Sequence, residues 1–193
     1  MRVETLKDCK RGFTIIEVIV VVSIVATLAF IAIGSFREMI DKYQVESKTK
    51  EMFSAIMEAR GRALQRSRVT FVRLVDDPFH PSGVMKRYEV YEDTIPAPDG
   101  DGLLDTTAGG DRRVFAETLK HTIEAPFASA DLVSALETRF RFQRNGLSNA
   151  SGYIRVLPRI ASVRPDYDCI VVGQTRVKMG QFDPASGGRC VEK

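Results

Sequence analysis

Glu17 is a carboxylate set inside the most apolar stretch of the chain. From Val18 to Phe36 no residue is charged, and the stretch extends back to Phe13 with Glu17 as its one charge. A carboxylate near mid-membrane costs on the order of 2.5 kcal/mol or more, and residues of this kind are usually functional. Glu17 is therefore a candidate functional residue, because a chain that only has to cross or leave the membrane gains nothing from a carboxylate there.

A second group of acidic residues lies in a glycine-rich loop. Asp99, Asp101 and Asp105 alternate with glycine and leucine, and Asp111 follows. Alternating carboxylates around a glycine turn suit a hard cation such as Ca²⁺, which takes oxygen ligands. The spacing also argues against calcium, because aligning this loop with an EF-hand places alanines at the first and last ligand positions. A solvated Asp-Gly turn is the alternative, and no other cofactor is predicted.

The charge of the chain is unevenly distributed. Residues 74–137 carry five basic and thirteen acidic residues, whereas residues 138–193 carry ten basic and four acidic ones. Within this basic C-terminal third, we predict that a binding partner, either DNA or another subunit, contacts Arg176, Lys178 and Arg189. Such a surface suits the phosphates of DNA or the acidic surface of a neighbouring protein, and a solvated strand face is the third alternative.

The cysteines and histidines predict a disulfide but no catalytic site. Cys9 lies near the N-terminus, while Cys169 and Cys190 lie close together near the C-terminus. In an exported chain this pair predicts a disulfide worth about 3 kcal/mol, with two buried free thiols as the alternative. His80 and His121 are too few and too far apart to predict a metal site. Because no nucleophile motif is present, the sequence predicts a protein that is not an enzyme.

The apolar stretch is long enough to cross a membrane as a helix, since about 20 apolar residues span a bilayer. Basic residues flank its start, so the positive-inside rule places the N-terminus in the cytoplasm. We therefore predict a transmembrane helix over residues 13–36 and a periplasmic location for the rest. A small-x-small triplet that ends at Gly34 leaves an alternative, an ordinary signal peptide cut after that glycine.

The remaining chain predicts an extended helix followed by strands. Residues 37–67 continue the helix in amphipathic form, because apolar residues recur at three- and four-residue steps. After Ser67 the pattern changes to short β-like stretches, with a hairpin signal at Asn145-Gly146. The predicted strands are 69–76, 86–93, 112–119, 138–143, 152–158, 168–173 and 175–180. The predicted fold class is α+β, with a long N-terminal helix packed on an antiparallel β-sheet head over residues 68–193.

The segment from Arg11 to Val18 resembles the signature of type IV prepilins and type II secretion pseudopilins. The resemblance implies cleavage between Gly12 and Phe13, so that residues 1–12 form a basic leader. It also implies N-methylation of Phe13, which becomes the new N-terminus. Glu17 would then pair with the freed ammonium of a neighbouring subunit during assembly.

The rest of the chain is similar to the GspH/FimT family of pseudopilins and minor pilins. The similarity rests on the alanines and arginines between Ala55 and Arg66, on Phe142 to Gly146, and on Gly173 to Lys178. It implies a structural subunit of a type II secretion pseudopilus or a type IV pilus, anchored in the bacterial inner membrane by a single pass. The implied partners are other pilins or pseudopilins, the prepilin peptidase and the inner-membrane assembly platform, with exported proteins or DNA as further candidates. A DNA-binding minor pilin for DNA uptake and a non-pilin secreted or anchored binding protein are the alternatives.

Overall fold

A computed structural model describes residues 14–77, 84–97, 100–127, 131–134, 137–185 and 187–193, without the side chains of residues 31–35 and 131–134. In these ranges helix α1 (Ile15–Arg66) precedes ten strands. The strands are β1 (Thr70–Val75), β2 (Arg87–Glu92), β3 (Arg112–Thr118), β4 (Ile123–Glu124), β5 (Asp131–Ser134), β6 (Glu137–Phe142), β7 (Gly152–Val156), β8 (Cys169–Val172), β9 (Val177–Asp183) and β10 (Arg189–Glu192). The chain divides into two compact units, residues 1–39 and 40–193.

In the first unit, Thr14 begins the helix. Its hydroxyl accepts the backbone N–H of Glu17 at 3.3 Å, which makes Thr14 the N-cap. The described apolar side chains that follow, from Ile15 to Phe30, are largely exposed. No helix among the described residues is both long and apolar enough to cross a membrane. The transmembrane prediction also includes Phe13 and the side chains of residues 31–35, which lie outside the described part.

The second unit contains two antiparallel sheets. One has the strand order β3-β2-β1-β6-β5 and the other β10-β9-β8-β7-β4. Within the first sheet β1 is central, with Val72 opposite Val90 on one side and Phe140 on the other. The α+β prediction is confirmed, although the head has two five-stranded sheets where a single sheet was expected.

The core of this unit lies between α1 and the sheets. One stripe of the helix is buried because its residues recur every three or four positions, which places them on one face. Side chains from both sheets complete the same cluster. The helical members are Val45, Met52, Ile56, Ala59 and Ala63, and the largest strand members are Leu74, Tyr88, Phe140, Phe142, Ile154 and Ile170.

All seven predicted strands correspond to observed ones, and their ends differ by up to three residues. Three strands were missed, β4, β5 and β10, which have two to four residues each. Runs this short show too little alternation to be distinguished from loops. Asn145-Gly146 does form a tight turn, with Gly146 at φ +71°. Across that turn Phe142 and Ser148 form an antiparallel bridge, so the predicted hairpin is present as an isolated bridge. It does not extend into a pairing of β6 with β7, which belong to different sheets.

Ser67 ends α1 in a left-handed backbone conformation, with φ at +52°. This conformation costs a residue with a side chain roughly 1–2 kcal/mol, and glycine adopts it freely. We expect Ser67→Gly to raise the free energy of unfolding by about 0.5–1 kcal/mol, part of the gain being offset by the entropy of the unfolded chain. Urea unfolding measures the change. Ser54→Gly, in the middle of α1, is the control and should lower the free energy of unfolding by about 0.5 kcal/mol. If both variants lose stability equally, Ser67 does not adopt the left-handed conformation.

Candidate assembly and docking sites

Glu17 lies in the first turn of α1 with its side chain exposed. Among the described residues, none forms an ion pair or hydrogen bond with its carboxylate. The carboxylate is thus available to a partner outside the chain, on a helix surface that is otherwise apolar. The predicted processing residues, Gly12 and Phe13, lie outside the described residues.

Opposite its buried stripe, α1 presents a second regular row, which we call the outer seam. Its members follow alternating steps of four and three residues, the spacing of a coiled-coil seam. Large residues alternate with small ones, and nothing lies within 4 Å of the position where Gly61 would carry a Cβ. Small residues between large ones let a second helix approach closely. The outer seam consists of Tyr43, Ser47, Lys50, Ser54, Met57, Gly61 and Leu64.

The acidic loop between β2 and β3 uses its carboxylates on its own backbone. Asp101 accepts the N–H of Leu103 at 2.8 Å, and Asp105 accepts that of Thr107 at 2.9 Å. Asp111 accepts the N–H of Asp105 at 2.9 Å, and with its other oxygen the N–H groups of Thr94 and Ile95. In the described part of the chain, no group of three or more His, Cys, Asp or Glu side chains is placed to hold a metal ion. Asp99 lies outside that part, and calcium binding stays a prediction.

Asp93, which sequence reasoning missed, is the buried carboxyl of this loop. One of its oxygens accepts the N–H of Gly102 at 2.7 Å, while the other has no hydrogen-bond partner. Burial, together with the nearby charges of Asp111 and Asp101, raises the pKa of Asp93. The carboxyl therefore holds its proton to a higher pH than an ordinary aspartate.

The three basic residues predicted for contact are not brought together. Arg176 is exposed just before β9, and Arg189 is exposed at the start of β10, opposite Asp183 at the far end of β9. Seven strand residues separate the two ends, which is roughly 20 Å at the rise of a β-strand. Lys178 forms an ion pair with Glu192. A contact surface that includes both arginines would therefore have to extend along the whole of β9.

Most of the other basic residues of the C-terminal third are engaged within the head. Arg155 pairs with Asp168 at 3.5 Å and lies 3.7 Å over the ring of Phe182. Lys193 pairs with Asp166 at 3.6 Å. These acids belong to the same third, so the excess of basic residues is reduced only by pairs with acids outside it, such as Arg155 with Glu124 at 3.6 Å and Arg159 with Asp41 at 3.7 Å.

Cys169 and Cys190 are joined by a disulfide, with Cα atoms 6.2 Å apart. The bridge connects β8 to β10, which are separated by β9, and it crosses that middle strand at Gly180. A Cβ on Gly180 would lie 3.0 Å from the Sγ of Cys190 and 2.3 Å from the carbonyl oxygen of Val191. The glycine therefore leaves the space through which the disulfide passes.

Asp41 connects the helix to both sheets, a role that the sequence did not reveal. One carboxylate oxygen lies 3.2 Å from Nε2 of His121, in the β3–β4 connection, and the other accepts the N–H of Ile160, in the β7–β8 connection, at 3.0 Å. Burial by itself would raise the pKa of Asp41, but these hydrogen bonds outweigh burial and hold the pKa below its usual value. The carboxylate is thus ionised, and His121 donates from Nε2.

Comparison with known proteins bears on the N-terminus. Residues 7–33 match the family defined by the prokaryotic N-terminal methylation motif. No curated protein sequence matches the chain. Among solved structures, the chain is similar to the minor pseudopilin EpsH from the Type 2 Secretion System of Vibrio cholerae, with 11% sequence identity and a TM-score of 0.46, over 72% of this chain and 97% of that one. The N-terminal segment of the chain, in which Gly12, Phe13 and Glu17 lie, thus carries the prokaryotic N-terminal methylation motif.

Proposed function

We propose that this protein is a minor pilin or pseudopilin, a low-copy structural subunit of a type II secretion pseudopilus or a type IV pilus. The observation that carries the proposal is the methylation motif over residues 7–33, which overlaps the start of α1. In this proposal the prepilin peptidase cuts after Gly12, and Phe13 is N-methylated. The protein then performs mechanical and recognition work, and the only covalent chemistry is done to it.

Before assembly, the apolar part of α1 anchors the protein. Residues 13–36 cross the bacterial inner membrane once, and the head with its two sheets lies in the periplasm. The uncharged run from Val18 to Phe36 supports this placement, because its length suits a bilayer. The disulfide between Cys169 and Cys190 also suits an oxidising compartment.

Assembly brings α1 against the helices of neighbouring subunits. Two features support this step, the exposed apolar side chains from Ile15 to Phe30 and the outer seam. The two surfaces suit different environments. The apolar side chains suit lipid or another apolar helix, whereas the outer seam suits close packing of helices in water. Glu17 enters the helical bundle paired with the ammonium at a neighbour's N-terminus.

The mature N-terminus tests the proposal directly. We expect the protein isolated from its native membrane to begin at Phe13 and to carry one added methyl group on the terminal amine. Intact mass and N-terminal peptide mass spectrometry measure both properties. A mature chain that begins at Ser35 would instead indicate ordinary signal peptidase cleavage and would exclude the pilin proposal.

A further inference from the structure

A groove of about 330 Å³ opens on the side of the head, between α1 and the connection that follows β3. Its size is at the small end of ligand sites, which are typically ~300–1,000 Å³. It therefore suits one or two side chains better than a large cofactor. The groove is lined by Tyr43, Gln44, Ser47, Lys48, Thr118, Lys120 and His121.

All seven lining residues carry a side-chain N–H or O–H group, and none carries a carboxylate. The composition is unusual for a chain in which 25 residues are acidic. Lys120 is exposed and has no ion-pair or hydrogen-bond partner in the described ranges. Lys48 is already paired with Glu117 at 2.5 Å and with Glu51 at 2.7 Å. Lys120 is thus the charge in the groove that remains to be neutralised.

The polar groups around Lys120 are held in place by the rest of the head. His121 is 2% exposed, and its Nε2 is fixed by the carboxylate of Asp41. The side-chain oxygen of Gln44 accepts a hydrogen bond from Arg159 at 2.8 Å, which leaves the amide N–H groups of Gln44 free to donate. Gln44 thus presents donor groups beside the unpaired ammonium of Lys120, and the electrostatic complement of this part of the groove is an anion.

We propose that this groove binds a carboxylate side chain on an acidic segment of the neighbouring subunit in the filament. The inference rests on the proposed function, since it requires a neighbour. A subunit is favoured over a small anion because Tyr43 and Ser47 belong both to the groove and to the outer seam. A helix packed along the seam would place its own head beside the groove.

Zero-length cross-linking in native filaments tests the contact. A carbodiimide joins an amine to a carboxylate only when the two are in contact. We expect peptide mass spectrometry to find Lys120 linked to an aspartate or glutamate of a neighbouring subunit. Lys120→Arg should keep wild-type incorporation but lose this link, because the guanidinium pairs with carboxylates without forming the amide.

Charge reversal supplies the second measurement. Lys120→Glu should lower incorporation into filaments by about tenfold or more, because it opposes two like charges across the contact. Arg164→Glu is the matched control, since Arg164 is also exposed, without a partner in the described ranges and outside the groove. Thermal unfolding of both variants should match that of the wild type.

Three results would overturn the inference. The first is wild-type incorporation of Lys120→Glu, and the second is the absence of Lys120 from the cross-linked peptides. The third is protection of Lys120 from an amine-reactive reagent by inorganic phosphate alone, which would indicate a small-anion site. In each case a wild-type protein that still enters filaments leaves the proposed function intact. A wild-type protein that never enters filaments overturns both.

Discussion

Replacing Glu17 with valine is expected to leave the protein cleaved and inserted in the membrane but to remove it from filaments. Without the carboxylate, the ammonium of the neighbouring subunit has no partner in an apolar bundle. An unpaired charge in lipid costs roughly 2.5 kcal/mol or more, so incorporation should fall by about 50-fold or more. The measurement is the ratio of the protein in purified filaments to that in the membrane fraction. Wild-type incorporation of the variant would contradict the pairing mechanism.

The N-cap provides the control for this experiment. Thr14 caps α1 through a hydrogen bond with the N–H of Glu17, so a change at Glu17 also alters the first helical turn. Thr14→Ala removes the cap at a cost of about 1 kcal/mol but keeps the carboxylate, and it should still enter filaments. Glu17→Gln keeps the shape of the side chain without its charge, and it should fail as Glu17→Val does. If Thr14→Ala fails equally, the helix end rather than the charge limits assembly.

The sequence predicted the helix and most strands because their signals are local. The buried stripe that includes Val45, Met52 and Ile56 recurs at helical spacing, and the runs over β1, β2 and β6 are rich in β-branched and aromatic residues. Pairing between distant strands has no such signal. The separation of the head into two sheets, and the placement of β10 beside β9, depend on contacts that the order of residues does not encode locally.

The same distinction applies to the sites. The proposed N-terminal site is linear, since Gly12, Phe13 and Glu17 lie within a few residues of one another, and the motif was recognisable without any fold. The groove, in contrast, brings together Tyr43 and Lys120, which are far apart in sequence. In the sequence, Lys120 belongs to no motif that would distinguish it from the other lysines. Only the fold shows that none of the described carboxylates pairs with this lysine.

Charge counting was similarly incomplete. The sequence showed an excess of basic residues over 138–193, and this excess suggested a single binding surface. In the folded head, Arg155, Lys178 and Lys193 are paired with acidic residues of the same third, and Arg155 also pairs with Glu124 outside it. Net charge by segment therefore indicates what a region can pair with, but not whether its partners are inside the molecule or outside it.

Gly12→Val is the remaining prediction with a large effect, and it acts one step earlier than Glu17→Val. A membrane protease must approach the backbone closely at the cleaved bond, and glycine leaves that approach open. A β-branched residue both obstructs the approach and stiffens the chain. We expect nearly all of the variant to remain as precursor, with residues 1–12 still attached, as measured by mass spectrometry of the membrane fraction.

The two variants should fail in distinguishable ways. Gly12→Val should be uncut and absent from filaments, because the ammonium of Phe13 is never formed, whereas Glu17→Val should be cut and absent. Gly12→Ala is the control for size, and it should be cut more than Gly12→Val because its side chain is a single methyl group. In both assembly-defective variants the disulfide between Cys169 and Cys190 should still form, since unit 40–193 has its own core. Normal maturation of Gly12→Val would place the cleavage elsewhere and remove the basis for the charge pairing at Glu17.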